Sequence, residues 1–433
     1  MNPRPANEAT SKIQASNQRH QEETPVLKRI CAACGLIAVL GLAVANIAAK
    51  RNTPWPDALT AHEWGTFTTV AGEDGRAEHW LPLGGPTDLP CFVEHFQDSR
   101  LFKLLPGETP LDYASARSKL WGKVRMETPV IYFYSRPERD VSVRVRFPRG
   151  WMTEWYPHAV VSQPYVTTRT IRNATHTSVI EWKNVKVAAS VGTSFPGGDG
   201  ESHYYAARRT EATPLRAGQQ VEKFLFYRGV GDFDVPLTAV ARPDGGVRIS
   251  NLGGAPFPAV ILFERRGDKL GYRVQNDVTG EVSVDAPALT GNLDELRRDL
   301  QRTLVKAGLY DREAAAMVDT WRDSWFEEGA RVFYIVPRRI VDAVLPLEIT
   351  PAPDNLARVF VGRMEVITPA TIATVDRAIR SNDARVLARY ARFLGPVTEL
   401  LLAKGTTAAS AERIHQLTNA ALATYASRSM VCE

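Results

Sequence analysis

Residues 30–49 read ICAACGLIAVLGLAVANIAA, twenty residues without a charge, set between Lys28-Arg29 and Lys50-Arg51. At about 1.5 Å per helical residue this run covers about 30 Å, the thickness of a bilayer's hydrocarbon core. A helix buried in a water-soluble domain keeps a polar stripe, and here only Asn46 interrupts the apolar run. The segment is therefore expected to be a transmembrane helix with the lipid bilayer as its partner. The competing reading is a cleaved signal peptide leaving a secreted form, for which Ala43-Val44-Ala45 offers a small-x-small site. The 29-residue polar tail ahead of the apolar core favours the retained anchor. Arg4, Lys12 and Arg19 add to Lys28-Arg29, so the positive-inside rule places the N-terminus in the cytoplasm and exports the body.

This segment also explains the charge. The chain has 433 residues and a formal net charge of +5, and its first 51 residues hold seven Lys or Arg against three Glu. What remains is nearly neutral, with no field suited to a phosphate backbone, so no nucleic-acid partner is expected. Cys31 and Cys34 lie inside the apolar run, where small helical residues are the simpler reading of their CxxC spacing. Cys91 and Cys432 are the two cysteines of the exported body, and in an oxidising compartment they are expected to form a disulfide.

Beyond the anchor the pattern is mainly β. Val141, Val143, Val145 and Phe147 alternate with Ser142, Arg144 and Arg146, the period of a half-buried strand. Runs at 130–134, 179–187, 221–227, 247–250, 259–263, 270–274 and 281–284 continue the pattern between GGDG, RPDGG, NLGGAP and RRGDK. Short strands with this punctuation predict one or two antiparallel β-sandwich domains. Asn292 and Glu295 then mark a helix start, with Leu293, Leu296, Leu300 and Leu304 on one face, and a second helix is expected over 311–328. Strands at 331–336 and 357–362 follow, and from residue 369 the chain reads as helices broken near 381–383, at Gly395-Pro396 and near Gly405. The fold class is thus α+β: a cytoplasmic disordered tail at 1–29, a transmembrane helix at 30–49, a β-rich domain at 50–240, a second β region at 241–368 with a helical insertion at 292–328, and a helical bundle at 369–433.

No GxSxG, HExxH, GxxxxGKS/T or GxGxxG signature is present, the histidines lack ligand spacing, and neither a cofactor nor a metal is expected. Three clusters can carry chemistry. His62 and Glu63 are neighbours on a strand and so face opposite ways, which leaves His62 as a lone binding candidate against a structural role. Arg125 and Glu127 share a strand face, where pairing is the cheapest way to bury both. Glu154 sits among Trp151, Trp155 and Tyr156, an arrangement that suits sugar rings if the aromatic faces are open and packs a core if they are not. Glu127 and Glu154 are the candidate catalytic pair for glycoside hydrolysis, whose outcome would depend on their separation. His203 and Tyr204 add a polar and aromatic group after a glycine-rich loop. The tripeptide Arg-Met-Glu occurs at 125–127 and at 363–365, a match too short to mark a repeat.

With HEWGTFT, RMETPVIYFYS, FPRGWMTEWYP and FYIVPR, residues 60–368 resemble a group of uncharacterised exported bacterial proteins. The resemblance implies export and a shared fold, and supplies neither an activity nor catalytic residues. The expected function is a single-span, membrane-anchored envelope protein acting in binding or assembly, with a glycan or another envelope protein as partner. The alternative is an exported hydrolase acting on carbohydrate through the paired carboxylates.

Overall fold

A computed structural model describes residues 55–86, 88–96, 111, 113–168, 170–172, 176–197, 202–403 and 408–427. The expected tail, the span at 30–49, Cys31, Cys34 and Cys432 lie outside these residues. Among the described residues no helix is long and apolar enough to cross a membrane.

The strands, in chain order, are β1 (Thr60–Val70), β2 (Glu94–His95), β3 (Val124–Tyr134), β4 (Arg139–Pro148), β5 (Gly150–Tyr156), β6 (Val160–Ser162), β7 (Thr177–Val187), β8 (Leu215–Ala217), β9 (Gln220–Glu222), β10 (Phe224–Gly231), β11 (Leu237–Ala241), β12 (Val247–Asn251), β13 (Phe257–Arg266), β14 (Lys269–Val278), β15 (Glu281–Val284), β16 (Gly329–Val336), β17 (Leu347–Thr350) and β18 (Asn355–Val366). Nine form one sheet in the order β14-β13-β16-β18-β1-β3-β10-β5-β2. A second sheet runs β17-β4-β7-β8-β9 with β6 on β7, and a third runs β11-β12-β15. Phe67, Met126, Phe133, Tyr227 and Phe360 on the inner face of the large sheet meet Val143, Val145 and Trp182 of the second sheet and Leu237 and Ile249 of the third. The molecule is mainly β, with a β-sandwich core and C-terminal helices, as the alternation and the late helical pattern predict.

The outer face of the large sheet has two helical covers. Trp64, Tyr132, Phe226, Phe263, Phe333 and Val361 pack under the helices Leu293–Lys306 and Asp311–Thr320 through Leu296, Leu300 and Met317. Val70 and Ile367 pack under the helices that begin at Pro369, through Val375, Ile379, Phe393 and Leu394. A seam lies between these covers.

Four expectations are corrected. A boundary at 240 does not separate two sandwiches, because the nine-stranded sheet takes strands from both sides of it and residues Pro54–Glu433 form one unit. The sheet is not wholly antiparallel: β1 pairs parallel with β18 at its centre, a partner nearly 300 residues away that no local turn announces. The helix expected over 311–328 stops at Thr320, and the turns after it present carbonyls to a buried guanidinium: Arg331 donates to Trp325 O at 2.8 Å and Glu328 O at 2.7 Å. Gly395-Pro396 does not break a helix either; it falls in the first turn of Leu394–Ala403, where proline's missing N–H is not needed.

Candidate functional site

The outward side chains of β1 cross all three zones of the sheet. His62 and Trp64 lie under the first helical cover, Val70 lies under the second, and Thr66 and Thr68 occupy the seam. A β-bulge aims charge into the same seam. Trp64 pairs with Val130 and Thr66 with Glu127, so two residues of β1 span three of β3, and the extra residue, Thr128, takes φ +45°. Regular alternation from Ile131 and Phe133 would turn Glu127 and Arg125 into the sandwich core; the bulge turns them outward instead. Neighbouring strands repeat the change from apolar to charged: Phe226 then Arg228 on β10, Phe333 then Arg331 on β16, Val361 then Arg363 on β18.

These groups form an alternating series. Arg125 approaches Glu127 at 3.3 Å, Glu127 bonds Arg392, Arg392 reaches Glu327 at 3.7 Å, and Glu327 meets Arg363 at 3.1 Å. Arg363 lies 3.6 Å from Glu365, which holds Arg331 at 3.0 Å. Four arginines therefore share three carboxylates, and all but the partly exposed Glu327 are buried. Burial pushes Arg125 down to about 10 against the pull of Glu127, and Arg392 and Arg228 add to the fall. Burial also lowers Arg363, helped by Arg331 and Arg392. Burial alone would raise Glu127, but Arg392, Arg125, Arg363 and Arg228 hold it below the usual carboxylate range. Arg392 runs the other way: burial would lower it, but Glu127 and Glu327 hold it above its usual value.

The seam's hydrogen bonding is incomplete. Among the described residues, Arg125 Nε, Arg363 Nε and Nη1, Arg392 Nε, Thr66 Oγ1 and Thr68 Oγ1 are buried without a hydrogen-bond partner, as are Glu127 Oε2, Trp321 Nε1 and Ser324 Oγ. Each such group costs about 1–3 kcal/mol when left unsatisfied. Among these groups donors outnumber acceptors. A cavity of about 670 Å³ opens beside the seam, lined among others by Asp88, Arg125, His203, Trp321, Glu327 and Arg392; Thr66, Thr68 and Arg363 do not line it.

The sequence-predicted residues are partly gathered. Glu127 is in the series and His203 lines the cavity, where its Nε2 meets Asp323 at 2.9 Å. Glu154 lies in the same row but on β5, separated from Glu127 by β10, whose Arg228 stands between them and is held by Asp88 at 2.8 and 3.1 Å. Glu154 accepts from Tyr113 at 2.7 Å and Thr153 at 2.5 Å. The aromatic platform is not presented to solvent: Trp151 and Trp155 are in the sandwich core and Tyr156 packs on Phe92. Tyr204 is buried with its hydroxyl on Glu222 at 3.0 Å. His62 sits away from the seam, its Nδ1 2.8 Å from Glu313, while Glu63 faces the opposite way onto Tyr227 and Arg358. Cys91 is disulfide-bonded, and Cys432, its expected partner, lies outside the described residues.

Sequence reasoning missed Thr66, Thr68, Glu327, Arg363 and Arg392. One signal was available in the repeated Arg-Met-Glu. Arg125 pairs with Thr68 on β3 and Arg363 pairs with Thr68 on β18, so the two tripeptides flank one threonine across three strands.

No protein-family model matches the chain, and no curated protein matches it. Among solved structures it is similar to the yeast delta-COP-I mu-homology domain complexed with a Dsl1 WxWxV peptide, at 6% identity over 72% of this chain and 98% of that one, with a TM-score of 0.26. A likeness at that score defines neither a shared fold nor a shared role.

Proposed function

We propose that the chain is a single-span, membrane-anchored envelope protein whose exported body is a binding module, and that the charged seam is its binding site for a small anionic, oxygen-rich ligand. One observation carries the reading: buried donors of Arg125, Arg363, Arg392, Thr66 and Thr68 that lack a hydrogen-bond partner are gathered in one seam of four arginines and three carboxylates, and Arg125 and Arg392 of that seam line the cavity. A ligand oxyanion supplies both the missing charge and the missing acceptors. The apolar span at 30–49 supports the anchor, and the disulfide at Cys91 is consistent with export and with a bridge to Cys432.

Calorimetric titration of the full chain with acetate tests the site. Saturable binding that weakens with added chloride and falls in Thr68→Val supports it, and an absence of saturable binding in the wild type overturns it. The rival, an exported carbohydrate hydrolase using Glu127 and Glu154, has less support. A general acid needs a raised pKa, whereas the arginines depress Glu127, and Arg228 occupies the row between the two carboxylates.

A further inference from the structure

The nine-stranded sheet ends on one side at β14, and the outer edge of that strand is covered only at its two ends. Its hairpin with β13 pairs Arg266 with Lys269 across two turn residues and keeps one register as far as Phe257 opposite Val278. In such a hairpin Lys269, Gly271, Arg273, Gln275 and Asp277 turn their backbone N–H and C=O toward β13, and the even-numbered residues turn theirs to the open edge. The end groups of that edge are taken: Gly291 N donates to Leu270 O at 2.7 Å, and Asn251 Nδ2 donates to Val278 O at 2.7 Å. Between them, among the described residues, no hydrogen bond reaches the outward backbone groups of Tyr272, Val274 and Asn276. Residues 273–277 are all exposed, and they include the apolar Val274 at 41%. An uncovered edge of this kind is a template for another strand.

We propose that this edge pairs with the same edge of a second copy of the chain, antiparallel about a two-fold axis at Gln275, so that the sheet continues from one molecule into the other. In that register Val274 and Asn276 exchange backbone hydrogen bonds with the partner's Asn276 and Val274, four bonds in all. Arg273 then lies opposite the partner's Asp277 on both sides of the axis. Among the described residues neither of these two side chains forms an ion pair within its own molecule. Opposite charges placed symmetrically about Gln275 complement a second copy, whereas charges of one sign would repel it. The neighbouring register, centred on Val274, would set Asp277 against the partner's Gly271. There Ala288 O already stands 2.1 Å from where a Cβ would be, so that face of the edge is occupied. The pairing is independent of the reading of the seam.

The test uses the full chain in detergent, carrying Gln275→Cys and treated with a mild oxidant. Across the axis the two substituted positions form a non-hydrogen-bonded pair with Cα atoms about 4.5 Å apart, within disulfide range. The expected product is the peptide bearing the substitution joined to a second copy of itself, identified by mass spectrometry. Lys269→Cys, on the same strand, controls for random encounter, because in this register it stands about 40 Å from its counterpart. Two further changes are each added to Gln275→Cys. Val274→Pro removes an N–H that faces the open edge and leaves the bonds to β13 in place. Arg273→Asp sets like charges opposite each other twice. Each is expected to cut the self-linked product about tenfold with little change in melting temperature, and Arg273→Lys to keep it. No self-linked product, an equal yield at Lys269→Cys, or a yield untouched by Val274→Pro or by Arg273→Asp overturns the pairing.

Discussion

Glu127 accepts from Arg392 and faces Arg125, so its removal leaves two buried guanidinium groups short of their counter-charge. Glu127→Ala is expected to destabilise the fold by about 3–5 kcal/mol, the cost of stranding a buried charge, measured by urea denaturation. A loss below about 1 kcal/mol would show that the series is not held together this way. Thr68 should behave in the opposite sense, since its hydroxyl has no partner to lose. A second residue gives a pH signature. His176 packs its ring on Trp151, and burial pushes it down to about 4 against a bond to the Gly150 backbone. Its unfolded value is about 6.5, so between those values the unfolded chain holds more protons and stability rises with pH. The stabilisation is complete above about pH 6.5 and lost as pH falls toward 4. His176→Gln is expected to flatten the fall of the melting temperature between pH 6.5 and 4.5, and an unchanged slope would contradict the assignment. At this scale the sequence was legible where partners are local: Arg125 with Glu127 is two residues on one face. Arg392 with Glu127 is separated by 265 positions, and nothing local marks it.

β18 and β16 meet so closely at Gly362 that a Cβ would stand 2.1 Å from the Tyr334 ring. Gly362→Ala is expected to cost about 1–3 kcal/mol or more in overpacking, read as a lowered urea midpoint with an unchanged slope. A neutral substitution would mean that Tyr334 can move away freely. Legibility at the level of elements follows burial. β4 covers the sandwich with one face only, so Val141, Val143 and Val145 are buried against exposed Arg144 and Arg146, and the alternation shows. β1 is buried along its whole length on both faces, and because its seam positions are Thr66 and Thr68 it reads neither as alternating nor as a hydrophobic run. The helix beginning at Leu293 was readable from its cap, since Asn292 accepts from Asp294 and Glu295. The helix expected to reach 328 was not, because the turns after Thr320 carry carbonyls that bond Arg331, a partner beyond the helix that its own pattern does not announce.

Across the whole molecule, the seam draws on segments far apart in the chain: Asp88 and Arg125, the turn at 321–328, the Arg363 strand, and Arg392 at the start of the last helices. The near balance that composition describes for the body also holds at the cavity, where Arg125, Arg265, Arg389 and Arg392 face Asp88, Asp268, Asp323, Glu327 and Glu328. On the proposed binding reading, the unsatisfied groups of such a site cost stability in the unliganded fold. The acetate titration of the full chain tests that trade most directly when Thr68→Val is run beside the wild type and the melting temperature of each is recorded. The expected result is a saturable, chloride-sensitive site in the wild type, weaker binding in Thr68→Val, and a melting temperature in the variant equal to or above that of the wild type. Equal acetate binding by the two proteins, or a variant that melts several degrees lower, would contradict a seam whose unpartnered groups await a ligand.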